Sequence, residues 1–292
     1  MQKINRNTAT LIGFVAILLW SLLAFFTASS GKIPPFQLAS LTFSMGALLG
    51  VSRWLFKPSL IKTLKQPLSL WLLGVIGLFG YHFAYFTALR NAPPVDAGLI
   101  AYLWPLLIVL FSALLPDEKL KLHHVLGAFL GLGGAILIVT KGSFVGFNSD
   151  FSYGYFMAFL GALIWSSYSV LSRRFSHIST DVVTGFCIAT ALLSLICHVL
   201  LEQTVWPETF KQWLAVFGLG LGPVGLAFYA WDFGVKHGDI QVLGAASYIA
   251  PLLSTFILIF TAHAEMTLII VAACVMITVG AMIAAKDIMM RK

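Results

Sequence analysis

Aromatic rings that carry a hydroxyl or an indole N–H can stack on an apolar solute and bind its polar ends. Such residues occur inside long apolar segments of this chain, where each polar edge needs a partner or water. Tyr81 and Tyr85 are one helical turn apart and share a face, with His82 beside them. We predict one substrate-binding cavity formed by Trp20, Tyr81, His82, Tyr85, Tyr102, Trp104, Pro105, Trp165, Tyr168, Ser247, Tyr248 and Pro251, with Trp231 completing the set.

Two prolines stand at the centre of this set. Pro105 and Pro251 each belong to the pattern Tyr-x-x-Pro-Leu-Leu within an apolar segment. Proline removes a backbone donor and frees the carbonyl four residues earlier, here those of Ala101 and Ser247. In a membrane such a carbonyl needs a partner or a water-lined cavity. Because the two prolines are matched, they favour a central cavity. The alternative is that these prolines, and the aromatic rings around them, serve only helix packing.

The elements that must position these residues are membrane-spanning helices. Hydrophobic residues make up 59% of the 292 residues and charged residues only 10%, whereas soluble chains average about 25% charged. The mean hydropathy is +0.93. Apolar runs of about 20 residues predict an all-α integral membrane fold with ten transmembrane helices. The predicted spans are 9–28, 36–55, 69–88, 95–115, 122–139, 151–171, 183–201, 213–233, 241–260 and 266–285.

The chain repeats itself after 146 positions, half its length. The motif that begins at Tyr102 returns at Tyr248. Other matched pairs, at nearly the same offset, are Trp20 and Trp165, Tyr85 and Trp231, and Glu118 and Glu265. The period predicts two repeats, residues 1–146 and 147–292. Because each has five crossings, the two must be inverted, an arrangement typical of secondary transporters with a binding site near the midplane.

Basic residues predict the orientation of these helices. All but four of the 18 lysines and arginines fall on the side of the membrane that holds the N terminus; the exceptions are Lys32, Arg90, Lys141 and Lys211. Because cytoplasmic loops carry the excess of Lys and Arg, both termini are predicted to be cytoplasmic. The net charge of +7 then reflects topology and attraction to anionic membrane lipid, and no nucleic-acid partner is predicted.

Few ionisable residues lie inside the spans, which restricts the solute. No Lys or Arg lies deep in a span, and phosphorylated solutes need such fixed cations. His82 could bind the solute or couple protons, or it could be a satisfied interior histidine. Asp232, four residues before Lys236, is interpreted as a helical ion pair rather than a proton site. A neutral or zwitterionic, partly apolar solute fits best.

Motifs for other chemistry are missing from the sequence. There is no nucleotide-binding Gly-rich loop, and no carboxylate pair or His/Cys cluster at one membrane depth. The three cysteines, Cys187, Cys197 and Cys274, lie in apolar spans and are interpreted as small buried hydrophobes. We therefore predict no enzyme activity, no metal and no cofactor.

Taken together, these residues resemble the drug/metabolite transporter superfamily, with its paired five-helix EamA-type units. The resemblance covers the whole chain and rests on the Tyr-x-x-Pro-Leu-Leu pair, the Trp-Ser pair, Glu118 and Glu265. Within the superfamily the chain is similar to the bacterial aromatic amino acid exporters. That similarity implies a multi-pass protein of the bacterial cytoplasmic (inner) membrane. Cationic-drug pumps of the superfamily depend on a mid-span Glu, which this chain lacks.

The resulting prediction is a secondary transporter that exports aromatic and other hydrophobic neutral amino acids. It would work by alternating access around the central aromatic cavity, with a small-molecule substrate and membrane lipid as its partners. A broad-specificity drug or metabolite exporter is the alternative, and a non-transporting scaffold or receptor is a third possibility. No oligomeric state is predicted.

Overall fold

The computed structural model of the protein describes residues 5–116, 118–143, 148–260 and 267–289. Within these residues the chain forms ten apolar helical segments. Nine are long enough to cross a membrane, and the tenth has 17 residues. They are α1 Arg6–Ser29, α2 Pro35–Phe56, α3 Leu68–Asn91, α4 Asp96–Leu114, α5 Leu122–Thr140, α6 Ser149–Phe175, α7 Thr180–Leu201, α8 Phe210–His237, α9 Ile240–Ile257 and α10 Leu268–Ala284. The predicted all-helical membrane fold is confirmed.

Helices of the first half pack mainly on helices of the second half. The pairs are α1 with α8 and α9, α2 with α7 and α8, α3 with α6 and α7, α4 with α6 and α9, and α5 with α10. Exchanging each helix for its repeat equivalent, five helices further on, converts this set of pairs into itself. The packing therefore has the pseudo-two-fold relation expected of two inverted repeats.

Small residues allow α5 and α10 to approach closely, as their small-xxx-small spacing predicts. A Cβ atom at Gly127 would lie 2.5 Å from the Gly280 carbonyl oxygen, and one at Gly280 would lie 2.7 Å from the Gly127 carbonyl oxygen. Because both obstacles are backbone atoms, neither glycine can carry a side chain without separating the helices.

Four helices are interrupted at repeat-related positions. A π-helical turn occurs at Ile76–Gly80 in α3 and at Gly222–Leu226 in α8, 146 positions apart. The helix α4 breaks between Ala101 and Trp104, and α9 breaks between Ala246 and Ile249. These interruptions expose backbone polar groups inside the helical bundle.

Ion pairs between helices agree with ten crossings, because every one in the described chain joins ends on the same side. We call the end that holds the start of α1 the N-terminal side. Its pairs are Arg6 with Glu118 and Asp239, Arg173 with Glu118, Arg53 with Asp181, and Lys121 with Asp287. On the opposite side Arg90 contacts Glu202. The repeat partner of Glu118, Glu265, lies outside the described residues.

Candidate substrate-binding site

Four indole rings meet in the middle of the bundle. Trp20, Trp104, Trp165 and Trp231 come from α1, α4, α6 and α8, and all six pairs are in contact, with centroid distances from 5.0 to 6.3 Å. Most of these contacts are edge-to-face or tilted, geometries that aromatic rings favour over a face-to-face sandwich. We call these four residues the tryptophan cluster.

Residues of α3 form a wall beside the tryptophan cluster. Tyr81 contacts Trp165 with centroids 5.6 Å apart, and it stacks on Tyr85 at 5.9 Å with nearly parallel planes. His82 contacts the rings of Phe43 and Phe228 at 5.0 and 6.2 Å. The predicted shared face of α3 is therefore present, and it joins the tryptophan cluster.

The two π-helical turns orient rings of the site. One carbonyl in each π-helical turn binds a ring nitrogen. The Trp20 indole N–H donates to the Pro223 carbonyl at 3.0 Å, and His82 Nδ1 lies 2.7 Å from the Leu78 carbonyl oxygen. That contact requires a proton on Nδ1. In the neutral imidazole, Nε2 is then an acceptor.

Several polar edges in the site have no protein partner. The hydroxyls of half-buried Tyr81, Tyr85 and Tyr102 make no hydrogen bond to any described residue and are not sealed in the interior. The same holds for the indole N–H groups of Trp104 and Trp165. A solute among these rings would therefore meet hydrogen-bonding groups that are not already occupied.

The predicted residues at the helix breaks are placed differently. The Tyr248 hydroxyl is buried inside the break of α4, where it donates to the Tyr102 carbonyl at 3.1 Å and accepts from the Leu106 N–H at 3.2 Å. It thus occupies the place of the backbone hydrogen bond from Leu106 to Tyr102. The Ser247 hydroxyl donates to Leu243 of its own helix at 2.7 Å.

The bridged carbonyl differs from the one expected from the prolines. In α9 the Ser247 carbonyl accepts from the Ala250 N–H at 3.1 Å, so it is not free. In α4 the bridged carbonyl belongs to Tyr102, one residue after Ala101. In α9 the N–H of Ala250, one residue before Pro251, pairs with the Ser247 carbonyl in place of the donor that proline lacks.

Comparison with known proteins identifies the family. The EamA-like transporter family matches residues 7–140 and 152–285. The chain belongs to this family of transporters. It is 51% identical to the aromatic amino acid exporter YddG of Ancylobacter novellus, over 96% of this chain and 98% of that protein. It is 25% identical to the exporter of the same name in Salmonella typhimurium, over 96% and 97% of the two chains.

A solved structure has the same fold as this EamA-like transporter. That crystal structure has 51% sequence identity and a TM-score of 0.93, covering 97% of this chain and 98% of the other. The family and the fold agree with the predicted transporter architecture and exclude assignment to an enzyme family.

A buried charge network ties the transporter together on the N-terminal side. The Glu118 side chain is 3% exposed, and its two oxygens contact Arg6 at 2.9 Å and Arg173 at 2.6 Å. Arg6 also contacts Asp239 at 3.1 Å. The network therefore connects the ends of α1, α4 and α6 with the start of α9. Because equivalent helices of both repeats take part, it can hold the two halves together at this side.

Two further groups of ionisable residues have local roles. Asp232 and Lys236 form the expected helical ion pair, with 2.8 Å between the carboxylate oxygen and the ammonium, and each is only 1% exposed. His198, which had no predicted partner, contacts Glu202 at 3.0 Å and Thr204 at 2.9 Å. These contacts satisfy both pairs without involving the tryptophan cluster.

One described group has donor atoms close enough for a metal, namely His123, His124 and Asp287, within 4.8 Å of one another. However, His124 Nδ1 already accepts from the Lys121 N–H, and the Lys121 ammonium lies 2.5 Å from Asp287. That ammonium lowers the pKa of the Asp287 carboxyl. Since a cation and a helix amino end already surround these atoms, we assign them to an ion-pair network.

Phe43 and Phe228 are site residues that sequence reasoning missed. Their rings stack at 5.3 Å, and Phe228 also contacts Trp165 at 5.7 Å. Phe228 follows His82 by the repeat offset of 146 and precedes Trp231 by one turn. The offset could therefore have identified it. Phe43 gave no comparable signal, because its contact depends on how α2 is rotated.

Proposed function

We propose that the protein exports aromatic and other hydrophobic neutral amino acids by alternating access around the tryptophan cluster. The observation that carries this proposal is an apolar ring cluster bordered by unoccupied hydroxyl and indole donors. An aromatic side chain can pack among the indoles, while the amino and carboxylate groups bind the phenols of Tyr81, Tyr85 and Tyr102. The names of the relatives support the same substrate class.

The break in α4 supplies a second feature suited to a zwitterion. The second half of α4 begins at Trp104, beside the cluster. A helix amino end carries partial positive charge and favours a carboxylate, and broken helices serve this purpose in other secondary transporters. A phosphorylated solute fits less well, because no described Lys or Arg contacts the tryptophan cluster.

The charge distribution supports a cytoplasmic N-terminal side. With that orientation, the Glu118 network ties the cytoplasmic ends of both repeats in this state. Export would require the network to separate and form again in each cycle. The cytoplasmic membrane and the location of both termini on its inner side are parts of this proposal.

The proposal is tested by uptake into liposomes that contain the purified protein. Labelled phenylalanine and tryptophan should enter faster than labelled lysine, and unlabelled phenylalanine should compete. The Tyr85→Phe variant, which keeps the ring, should need a higher phenylalanine concentration for half-maximal uptake. Measurements with and without a pH gradient would show whether protons are coupled.

Methyl viologen serves as the contrasting substrate in the same assay. Equal transport of methyl viologen and phenylalanine would support the broad drug exporter instead, and impermeable liposomes would overturn transport altogether.

A further inference from the structure

Two tyrosines that are equivalent by sequence differ in their bonding. Tyr102 and Tyr248 open the same motif in the two halves, 146 positions apart. The Tyr248 hydroxyl fills the break of α4, bonded to the Tyr102 carbonyl and the Leu106 N–H. The Tyr102 hydroxyl has no partner in the described chain. One break is therefore bridged by the other repeat, whereas its counterpart is not.

The unbridged break of α9 has matching groups. In the present state the second half of α9 begins at Ile249, so the Tyr248 carbonyl lies at the amino end of that half-helix, in the break. At the repeat offset, Leu106 corresponds to Leu252, which follows Pro251 as Leu106 follows Pro105. A hydroxyl placed in this break could therefore donate to the Tyr248 carbonyl and accept from the Leu252 N–H, as Tyr248 does in α4.

Inverted repeats connect this asymmetry to the transport cycle. Two repeats with one fold but opposite orientation can exchange conformations, and that exchange moves the opening to the other side of the membrane. The present state, with the Glu118 network intact on the N-terminal side, has Tyr248 in the break of α4. In the exchanged state, the equivalent contact places Tyr102 in the break of α9.

We propose that Tyr102 and Tyr248 form a reciprocal latch, in which each hydroxyl bridges the broken helix of the other repeat in one of two opposite-facing states. The Tyr248 latch stabilises the state closed on the N-terminal side, and the Tyr102 latch stabilises the state open there. The proposal rests on alternating access as proposed above. It also gives the paired tyrosines a conformational role distinct from contact with solute.

The two latches are not equal in strength. A Cβ atom at Gly131 would lie 2.5 Å from the Tyr248 ring, so this glycine provides the space in which the ring lies. The corresponding position at the repeat offset is Ile277. A bulkier side chain there leaves less room for the Tyr102 ring. Removal of the Tyr248 hydroxyl should therefore shift the equilibrium more than removal of the Tyr102 hydroxyl.

The test measures the two states directly with spin labels. Asn7→Cys and Arg174→Cys place labels at exposed positions near the start of α1 and the end of α6, both on the N-terminal side, after the three native cysteines are replaced. Double electron–electron resonance on the full-length protein in liposomes reports their separation. Tyr153→Phe, which removes an exposed tyrosine hydroxyl at the other end of α6, is the matched control.

Tyr248→Phe should raise the ratio of long to short distances about tenfold, the equivalent of about 1.4 kcal/mol for two lost hydrogen bonds. Tyr102→Phe should lower that ratio, and adding it to Tyr248→Phe should reverse part of the shift. Shifts in the same direction, or none beyond the control, would overturn the latch.

Transport of labelled phenylalanine is measured on the same variants. Opposite distance shifts in the variants, with no transport by the unmutated protein, would leave the latch standing and refute the proposed function. Transport without opposite shifts would retain the function and refute the latch.

Discussion

The hydroxyl of Tyr85 offers a test that separates solute binding from folding. It has no partner among the described residues, while the ring stacks on Tyr81 at 5.9 Å. Replacement by phenylalanine keeps this stacking and removes only the unoccupied hydroxyl. The native state loses no hydrogen bond, so the free energy of unfolding should change by less than about 0.5 kcal/mol.

The effect on transport should be much larger. A hydrogen bond to a charged group, such as the carboxylate of an amino acid, contributes about 1.5–3 kcal/mol. At about 1.4 kcal/mol per factor of ten, Tyr85→Phe should raise the KM for phenylalanine at least about tenfold. The KM is measured from initial rates of uptake into liposomes, and stability is measured by thermal unfolding in detergent.

Tyr229→Phe is the matched control for stability. The Tyr229 hydroxyl donates to the Gly46 carbonyl at 3.0 Å, so its loss should cost about 1 kcal/mol. The reasoning is refuted if Tyr85→Phe destabilises the protein as much as this control while the KM stays constant. That result would mean that the Tyr85 hydroxyl serves folding and does not contact the solute.

Three further predictions concern the N-terminal network, helix packing and proton coupling. Glu118→Gln leaves two arginines without their shared buried carboxylate and should lower the free energy of unfolding by about 3 kcal/mol. Asp287→Asn, in an exposed ion pair, should lower it by less than about 1 kcal/mol. Denaturation of both variants measures the two values. Gly127→Ala places a methyl group against the backbone of α10 and should lower the free energy of unfolding by about 1–3 kcal/mol. Gly98→Ala, with no atom within 4 Å of the added Cβ, should not lower it. Equal shifts in the thermal unfolding of the two variants would contradict the packing argument. His82→Gln should keep the pH profile of uptake, because no described carboxylate contacts the ring; a flattened profile would assign a proton role to His82.

Several levels of this structure could be predicted from the sequence alone. Each residue has its own preference for water or lipid, which does not depend on its neighbours in the fold. An apolar window of about 20 residues therefore predicts a transmembrane helix, whatever that helix packs against. The offset of 146 is also a property of the chain, and it predicted two five-helix repeats before any contact was known. Helical spacing likewise predicted the shared face of Tyr81 and Tyr85.

Tertiary structure decided which of these groups meet. Contacts among the four indoles depend on the rotation and pairing of helices from both halves, which no local pattern specifies. The Trp20 indole meets the Pro223 carbonyl only because α1 packs on α8. Tyr102 and Tyr248 have matching sequence surroundings, yet one hydroxyl is bonded and the other is not. The shared Tyr-x-x-Pro-Leu-Leu motif does not reveal that difference, because it depends on what packs around each ring, such as Gly131 beside Tyr248.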